Sequence, residues 1–348
     1  MIIHIDMDYF FAQAEEERQP FFKGRVVIVC VYSGRAQDAG VVSTVNYEGR
    51  KYGVHSGMPI FQAKKRAPPN AVFLPVDRVY YEELSAKIDE TVRKYSAKVE
   101  KTSIDEWFLE VSRIPEETAA ALKQEIKERT GLTCTIGVAP SKLGAKMAAA
   151  KAKPNGLLVL DKQEEREFIE DSSVEKIPGI GQKTTGALNS IGIRYVKDIQ
   201  KTDSVKIVEV FGKKIGAWIC NLGRGEYLEK IEEEVEQSEV SKIGTLKELT
   251  RDQYILLLKI KELEKELFPW LMERKKSYNT VTIVFITEDM KTHSKSLTFR
   301  KPKSWNDDIT DEIKILVDDF LNAVGYSVRR VGIKFSNLVD ITGQTTLF

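Results

Sequence analysis

Thr102-Ser103-Ile104-Asp105-Glu106-Trp107-Phe108-Leu109 sets two adjacent carboxylates among apolar and aromatic residues. Ile104, Trp107, Phe108 and Leu109 favour a strand. Neighbouring strand residues point to opposite faces, so Asp105 and Glu106 face one ion together only at a strand end, a turn or a bulge. The chain opens with a matching half, Met1-Ile2-Ile3-His4-Ile5-Asp6-Met7-Asp8, whose Asp6 and Asp8 share a face. Side by side, the two stretches bring three or four carboxylates together. Like charges at that range repel and raise one another's pKa unless a cation neutralises them. An oxygen-only donor set suits Mg²⁺, Mn²⁺ or Ca²⁺ rather than zinc. Acidic residues at strand ends are also common as solvated loop charges, so the neighbouring segments have to decide.

Tyr9-Phe10-Phe11-Ala12-Gln13-Ala14-Glu15-Glu16-Glu17 reads as the start of a helix beside the acidic strand. Its free N–H groups and positive dipole end form a cradle for phosphate, with Phe10 and Phe11 next to it. One of the two rings is expected in the core. Strands are predicted at 25–32, 40–45 and 71–75, with a short helix at 46–53 ended by Gly53. Tyr47 and Arg50 share a face of that helix. With Thr44 they suit a phosphate chain, the guanidinium by paired bonds and the hydroxyls by single ones. Alone, Tyr-x-x-Arg reads more simply as a surface pair. Helices follow at 80–95, 116–130 and 141–152 and strands at 99–111, 132–139 and 157–160. Alternation up to about residue 165 predicts one sheet domain with a smaller insertion near 12–75.

The next segment changes character. Ile177-Pro178-Gly179-Ile180-Gly181-Gln182-Lys183 and the later Ile191-Gly192-Ile193 form a helix–hairpin–helix signature. Its glycines expose N–H groups beside a helix N-terminus, and these can hold a DNA phosphate without reading sequence. Gly179, Gly181 and Lys183 are the candidate contacts, and Phe211-Gly212-Lys213-Lys214-Ile215-Gly216 is a degenerate second copy. The acidic run from Gly225 to Glu239 is predicted to be a solvated connector. Beyond it a βαββαβ order is expected, with strands at 241–248, 280–287, 294–299 and 328–336 and helices at 254–273 and 309–323. Lys295, Arg300, Arg329 and Arg330 cluster around the strands, and Asp311, Glu312, Asp318 and Asp319 lie on the second helix. A basic sheet face and an acidic helix face would allow DNA binding with little net charge. Gln344, Leu347 and Phe348 at the end resemble a peptide that docks in the pocket of a sliding clamp, without its usual second aromatic.

Composition narrows the class. The 348 residues are 42% hydrophobic and 30% charged with a formal net charge of +1, which fits a globular protein of roughly two to four domains whose basic surfaces are local. Cys30, Cys134 and Cys220 are far apart and match no zinc spacing or disulfide framework, so a reducing, cytoplasmic location is expected. No apolar run approaches the ~20 residues of a membrane span. The acidic start carries no basic, apolar leader.

Asp6-Met7-Asp8-Tyr9-Phe10-Phe11-Ala12, Asn46-Tyr47-Glu48-x-Arg50, Ser103-Ile104-Asp105-Glu106, Lys153-Pro154-Asn155-Gly156 and Ile177-Pro178-Gly179-Ile180-Gly181 stand in one collinear order. In that order and spacing the chain resembles the Y-family, DinB-type translesion DNA polymerases, most of all their archaeal DNA polymerase IV branch. The resemblance implies an α+β multidomain, right-hand polymerase with palm, fingers, helix–hairpin–helix thumb and a βαββαβ little-finger domain. The expected boundaries are palm 1–11 and 76–165, fingers 12–75, thumb 166–228, acidic linker 229–240, little finger 241–340 and clamp-binding tail 341–348. It implies template-directed addition of deoxynucleotides to a primer 3′ end by two Mg²⁺ ions, which Mn²⁺ or Ca²⁺ can replace in binding. Asp6, Asp105 and Glu106 would be the ligands, with the Met7 carbonyl. Phe10, Phe11, Thr44, Tyr47, Arg50 and Lys153 would bind the deoxynucleoside triphosphate, Phe11 as the steric gate against a ribose 2′-OH. Asp8 would be structural. Partners would be primer–template DNA and the sliding clamp, for a monomer with low processivity, no proofreading and tolerance of damaged templates. The acidic linker departs from relatives that carry basic residues there. The rival readings are a metal-dependent nuclease, which needs no triphosphate clamp, and a DNA-binding scaffold with a degenerate site.

Overall fold

The computed structural model describes residues 1–112, 114–227, 229–233 and 237–341. These form two compact units, Met1–Val31 with Val41–Glu234 and Tyr32–Gly40 with Val235–Phe348. The proposed tail residues Gln344, Leu347 and Phe348 lie outside the described residues.

In the first unit the chain runs β1 (Ile2–Met7), α1 (Phe10–Arg18), β2 (Val27–Tyr32), β3 (Gly40–Val45), α2 (Tyr47–Arg50), α3 (Ile60–Arg66), β4 (Val72–Pro75), α4 (Arg78–Val92), β5 (Val99–Lys101) and β6 (Glu106–Glu110). It continues through α5 (Pro115–Thr130), β7 (Cys134–Ala139), α6 (Lys142–Ala152), β8 (Leu157–Val159), α7 (Lys162–Glu170), α8 (Gln182–Ser190), α9 (Val196–Ile199) and α10 (Ser204–Arg224). The main sheet has the order β5-β6-β1-β7-β8, and a smaller one has β3-β2-β4. Strand β1 is central and almost wholly buried, with an apolar face of Ile3, Ile5 and Met7. Ile3, Ile5 and Met7 pack with Tyr81, Leu84 and Ile88 of α4 and Leu122 and Ile126 of α5. Ile2, on the other face, joins Phe108 with Ala145 and Ala148 of the alanine-rich α6. Small residues let α6 lie close on the sheet, and Gly137 of β7 has no room for a Cβ against it. The 11/12 boundary read from the sequence falls inside α1, whose Phe10, Ala12 and Ala14 belong to this same core.

Helices α7 to α10 bury their own cluster around Ile177, Leu188, Val196 and Ile219. The degenerate second hairpin falls inside α10, where Gly212 (φ 75°, ψ 166°) interrupts the helix.

The acidic run is a correction. Among its described residues Ile231 packs on the cluster of Ile2, Phe108 and Leu160. The Glu232 N–H donates to the Glu100 carboxylate at 2.8 Å. Glu100 is itself ion-paired at 2.8 Å with the poorly exposed Lys142, and Glu229 lies 4.0 Å from that lysine. One apolar anchor and a poorly exposed cation hold the segment against the main sheet, so it is not a freely solvated connector.

The second unit contains β9 (Glu239–Thr250), α11 (Gln253–Glu273), β10 (Lys276–Thr287), β11 (Thr292–Lys303), α12 (Thr310–Ala323) and β12 (Val328–Asp340). This is the expected βαββαβ order, in an antiparallel sheet β11-β10-β12-β9. Its strands are longer than the sequence runs suggest, because polar residues outside the alternating cores still pair. Among the described residues no helix is long and apolar enough to cross a membrane.

Candidate active site

The antiparallel register of β1 on β6 sets Asp6 directly opposite Glu106. Asp105 lies just before β6, in the tight turn where the Thr102 and Ser103 N–H groups both donate to the Glu106 carbonyl. Its carbonyl accepts the Met7 N–H at 3.0 Å, so β1 and the turn are stitched at the acidic end. The turn resolves the strand-parity problem: Asp105 and Glu106 straddle a strand end. Ser103 Oγ donates to Asp105 Oδ1 at 2.7 Å and fixes that carboxylate.

Two lysines meet these acids. Lys153 Nζ sits 2.6 Å from Asp6 Oδ1, and Lys146 Nζ donates to Glu106 at 2.8 and 3.0 Å. Burial is the largest influence on Asp6 and pushes its pKa up to about 6; Lys153 opposes the rise, and Glu106 and Asp105 add to it. Among the described residues no three His, Cys, Asp or Glu side chains converge as a ligand set. The expectation that three or four carboxylates meet at one point is corrected accordingly: Lys153 and Lys146 already cover Asp6 and Glu106, and Asp8 is engaged elsewhere. The donor set still fits a hard cation. It is made only of oxygens, and positive charge is already drawn to two of its acids.

Asp8 is fully buried. Its carboxylate accepts from Thr135 Oγ1 (2.7 Å), Thr133 Oγ1 (3.0 Å) and the Asn155 N–H (2.9 Å). Through Asn155 it anchors the loop that carries Lys153. Gln13 seconds it, donating to the Asp8 and Thr133 carbonyls at 2.6 and 3.1 Å.

Above the acids, Tyr47 and Arg50 occupy the single turn of α2, with the guanidinium 4.5 Å from the Tyr47 ring centre. Tyr47 feels the charges of Asp8 and Asp6, although burial contributes most to its raised pKa. Thr44 is half-buried at the end of β3. Phe11 is half-buried and stacks on Tyr81 (4.3 Å, 11°). Phe10 is only 2% exposed, in the core, so its ring does not line the site; the sequence offered two phenylalanines and the core took one.

The hairpin glycines are exposed. Gly179 adopts φ +91°, and Gly181 is the N-cap of α8, with no side chain capping the helix. Lys183 follows in the first turn, also exposed. In the second unit the proposed DNA contacts divide. Lys295 pairs with the core residue Ile283 and shares a strand face with Leu297 and Phe299, so it lies on the helix-covered side. Arg330 alternates with buried Val331 and faces away from the helices, as does Arg300 next to Phe299. Arg329 falls in the bulge between Val328 and Arg330. A single basic sheet face carrying all four is therefore corrected.

Lys146, Tyr9, Glu16 and Asn46 were not singled out from the sequence as site residues. For Lys146 a signal existed: Lys142, Lys146 and Lys153 recur at four and seven residues along and just beyond α6, one helix face.

The model of the impB/mucB/samB family matches residues 5–150, and that of its C-terminal domain matches 237–347. Residues 175–226 match a thumb-domain model described as DNA polymerase-iota. DNA polymerase IV of Methanosarcina acetivorans is 36% identical, over 100% of this chain and 98% of its own. DNA polymerase IV of Saccharolobus solfataricus is 34% identical, over 100% and 99%. Among solved structures, a Y-family DNA polymerase chimera superposes with a TM-score of 0.91 at 34% identity, covering 97% of this chain and 99% of that one. An insertion ternary complex of Dbh DNA polymerase gives 0.70 at 34% identity, with coverage of 97% and 99%.

Proposed function

The chain belongs to the impB/mucB/samB family, the DinB-type Y-family DNA-directed DNA polymerases with their right-hand fold, and from that premise we propose that it extends a primer 3′ end on a DNA template and does so with low fidelity past damaged template bases. The observation that carries this reading is the β1–β6 register, which brings Asp6 to Glu106 and the Asp105 turn.

Asp6, Asp105, Glu106 and the Met7 carbonyl are the proposed holders of two Mg²⁺ ions; when bound, such ions activate the primer hydroxyl and neutralise the triphosphate and departing pyrophosphate. The remaining work belongs to side chains. Arg50 and Tyr47 hold the phosphates by charge and hydrogen bonding, and Thr44 adds a hydroxyl. Lys153 is ion-paired with Asp6 and is positioned to carry positive charge from that acid to an arriving triphosphate. Phe11 presents its half-buried ring to the sugar, and Tyr81 behind it keeps the ring from retreating. The hairpin N–H groups at Gly179 and Gly181, with Lys183, hold phosphates of the DNA backbone, and in the second unit Arg300 and Arg330 are the proposed phosphate contacts.

We assign residues 1–11 and 76–165 to the palm, 12–75 to the fingers, 166–228 to the thumb, 229–240 to the acidic linker and 241–340 to the little finger, in a monomer. Residues 341–348 are the proposed sliding-clamp peptide, and deletion of Gln344 to Phe348 is expected to abolish stimulation by the clamp without lowering basal extension.

Primer extension with Mg²⁺ and all four nucleotides, on intact templates and on templates with one abasic site, tests the reading beside the Asp105→Ala protein. Extension by the wild type alone is expected, with passage of the abasic site. Asp105→Ala should bind DNA as the wild type does and extend at least ~10³-fold more slowly. Bound DNA without extension would favour a scaffold, and shortened strands a nuclease.

A further inference from the structure

Helix α2 carries the two proposed triphosphate ligands, yet it is a single four-residue turn. So short a helix does not fix its own direction, because nucleation orders several dihedrals for one hydrogen bond. Its orientation is set at its N-cap, Asn46, which is 2% exposed. Asn46 Oδ1 accepts from the Gly49 N–H (3.0 Å) and the Val27 N–H (3.2 Å). Asn46 Nδ2 donates to the Arg25 carbonyl (2.7 Å) and to Glu16 Oε1 (2.6 Å). These four bonds use the full capacity of the amide. Three of the partners are local to α2 and β2 and their flanks. Glu16 is not: it comes from α1, the helix that bears Phe11.

Glu16 has a second link to the same place. Its Oε2 accepts from the Tyr9 hydroxyl at 3.2 Å. Tyr9 holds a left-handed backbone (φ 37°) and sets its ring edge-on to Tyr47 at 5.2 Å. One carboxylate therefore reaches Tyr47 by two routes, through the N-cap of its helix and through the ring against its own. Resting on the assignment of Tyr47 and Arg50 to the triphosphate, we propose that Glu16 is a positioning residue for the incoming-nucleotide site, fixing α2 of the fingers to α1.

The chemistry is selective about what can replace it. A Gln offers the same acceptor to Asn46 and turns its amide toward the Tyr9 hydroxyl, which accepts as well as donates. An Ala removes both links and leaves Asn46 with one acceptor and the Tyr9 hydroxyl with none of its present partners. Burial raises the Glu16 pKa, while Asn46 and Tyr9 act in the opposite sense. The two donors thus favour the charged form in which both oxygens accept.

Single-turnover insertion separates nucleotide affinity from rate and tests the proposal. Wild type, Glu16→Ala, Glu16→Gln and Tyr9→Phe are compared, with primer–template affinity and Tm measured alongside. Glu16→Ala is expected to weaken nucleotide binding by ~10-fold, the scale of one lost hydrogen bond to a charged group. Its maximal rate and DNA affinity should stay within about twofold of the wild type. Tyr9→Phe should shift nucleotide affinity the same way by less, and Glu16→Gln should restore it. A merely structural Glu16 would lower Tm and the active fraction and leave nucleotide affinity alone. Unchanged affinity in both Glu16→Ala and Tyr9→Phe overturns the proposal, as does an equal loss of DNA and nucleotide binding. If Glu16→Ala does not fold, unchanged affinity in Tyr9→Phe overturns it. A wild type that fails to extend any primer would strike down the polymerase reading and this inference with it, whereas an active wild type with unchanged variants strikes down this inference alone.

Discussion

Phe11 and Phe10 are neighbours with opposite fates. Phe10 fills the core and Phe11 stays half-buried, nearly parallel to the fully buried Tyr81. Tyr81 is itself fixed, its hydroxyl donating to Glu15 at 2.9 Å. A ring backed in this way cannot yield to a bulkier sugar. Phe11→Ala should therefore lower the preference for deoxyribonucleotides over ribonucleotides by about 10²-fold, the discrimination that shape alone gives against an added hydroxyl. Single-nucleotide insertion with paired dNTP and rNTP measures the ratio, and an unchanged ratio removes Phe11 from the gate. Asp8 makes the complementary point about charge. Three donors surround its carboxylate and fix it as a strut for the Lys153 loop. His4, on β1, is fully buried and among the described residues has no hydrogen-bond partner for either ring nitrogen, and burial, its largest influence, brings its pKa down to about 3. It packs as a neutral ring 4.4 Å from Phe108.

At the scale of elements, the interruption of α10 depends on one backbone. Gly212 has φ 75° and ψ 166°, a region that only glycine occupies without strain. Nothing lies within 4 Å of where a Cβ would sit, so Gly212→Ala carries a conformational cost and no clash. It should destabilise the thumb helices by ~1–3 kcal/mol. Thermal unfolding reads the effect, and a Tm equal to the wild type would mean that the helix straightens at no cost. This bend was legible only as a degenerate motif, whereas most elements were plain in the sequence. Ser141 caps its helix, Gly131 ends α5, and β-branched runs mark β2 and β7. The Asp105–Glu106 strand end was legible for the same reason, because parity forbids two neighbours on one face. What stayed hidden joins distant parts of the chain: Glu16 to Asn46 and Ile231 to the main sheet. Local periodicity carries no trace of such pairs. Lys295 is a different failure, since its spacing of two and four from Leu297 and Phe299 already placed it on the apolar side.

For the whole molecule, a formal net charge of +1 conceals how the cations are distributed. Many are already spent on local acids: Lys153 on Asp6, Lys146 on Glu106, Lys142 on Glu100 and Lys334 on Glu239. Among the described residues Arg300 and Arg330 make no side-chain hydrogen bond or ion pair, and the buried Nε of Arg330 has no hydrogen-bond partner there. They face away from the helices of the second unit, while Lys295 lies on the helix side. Each phosphate that a cation neutralises releases condensed counterions and steepens the fall of affinity with salt by about one unit in a log–log plot. Arg300→Ala and Arg330→Ala should each flatten that slope by about one unit and weaken binding evenly across sequences. Lys295→Ala should leave it unchanged. Fluorescence anisotropy of a labelled primer–template between ~50 and ~200 mM salt measures all three. The reverse pattern, a flattened slope for Lys295→Ala alone, would put the duplex against the helix side of the sheet and reject the open face as the DNA surface.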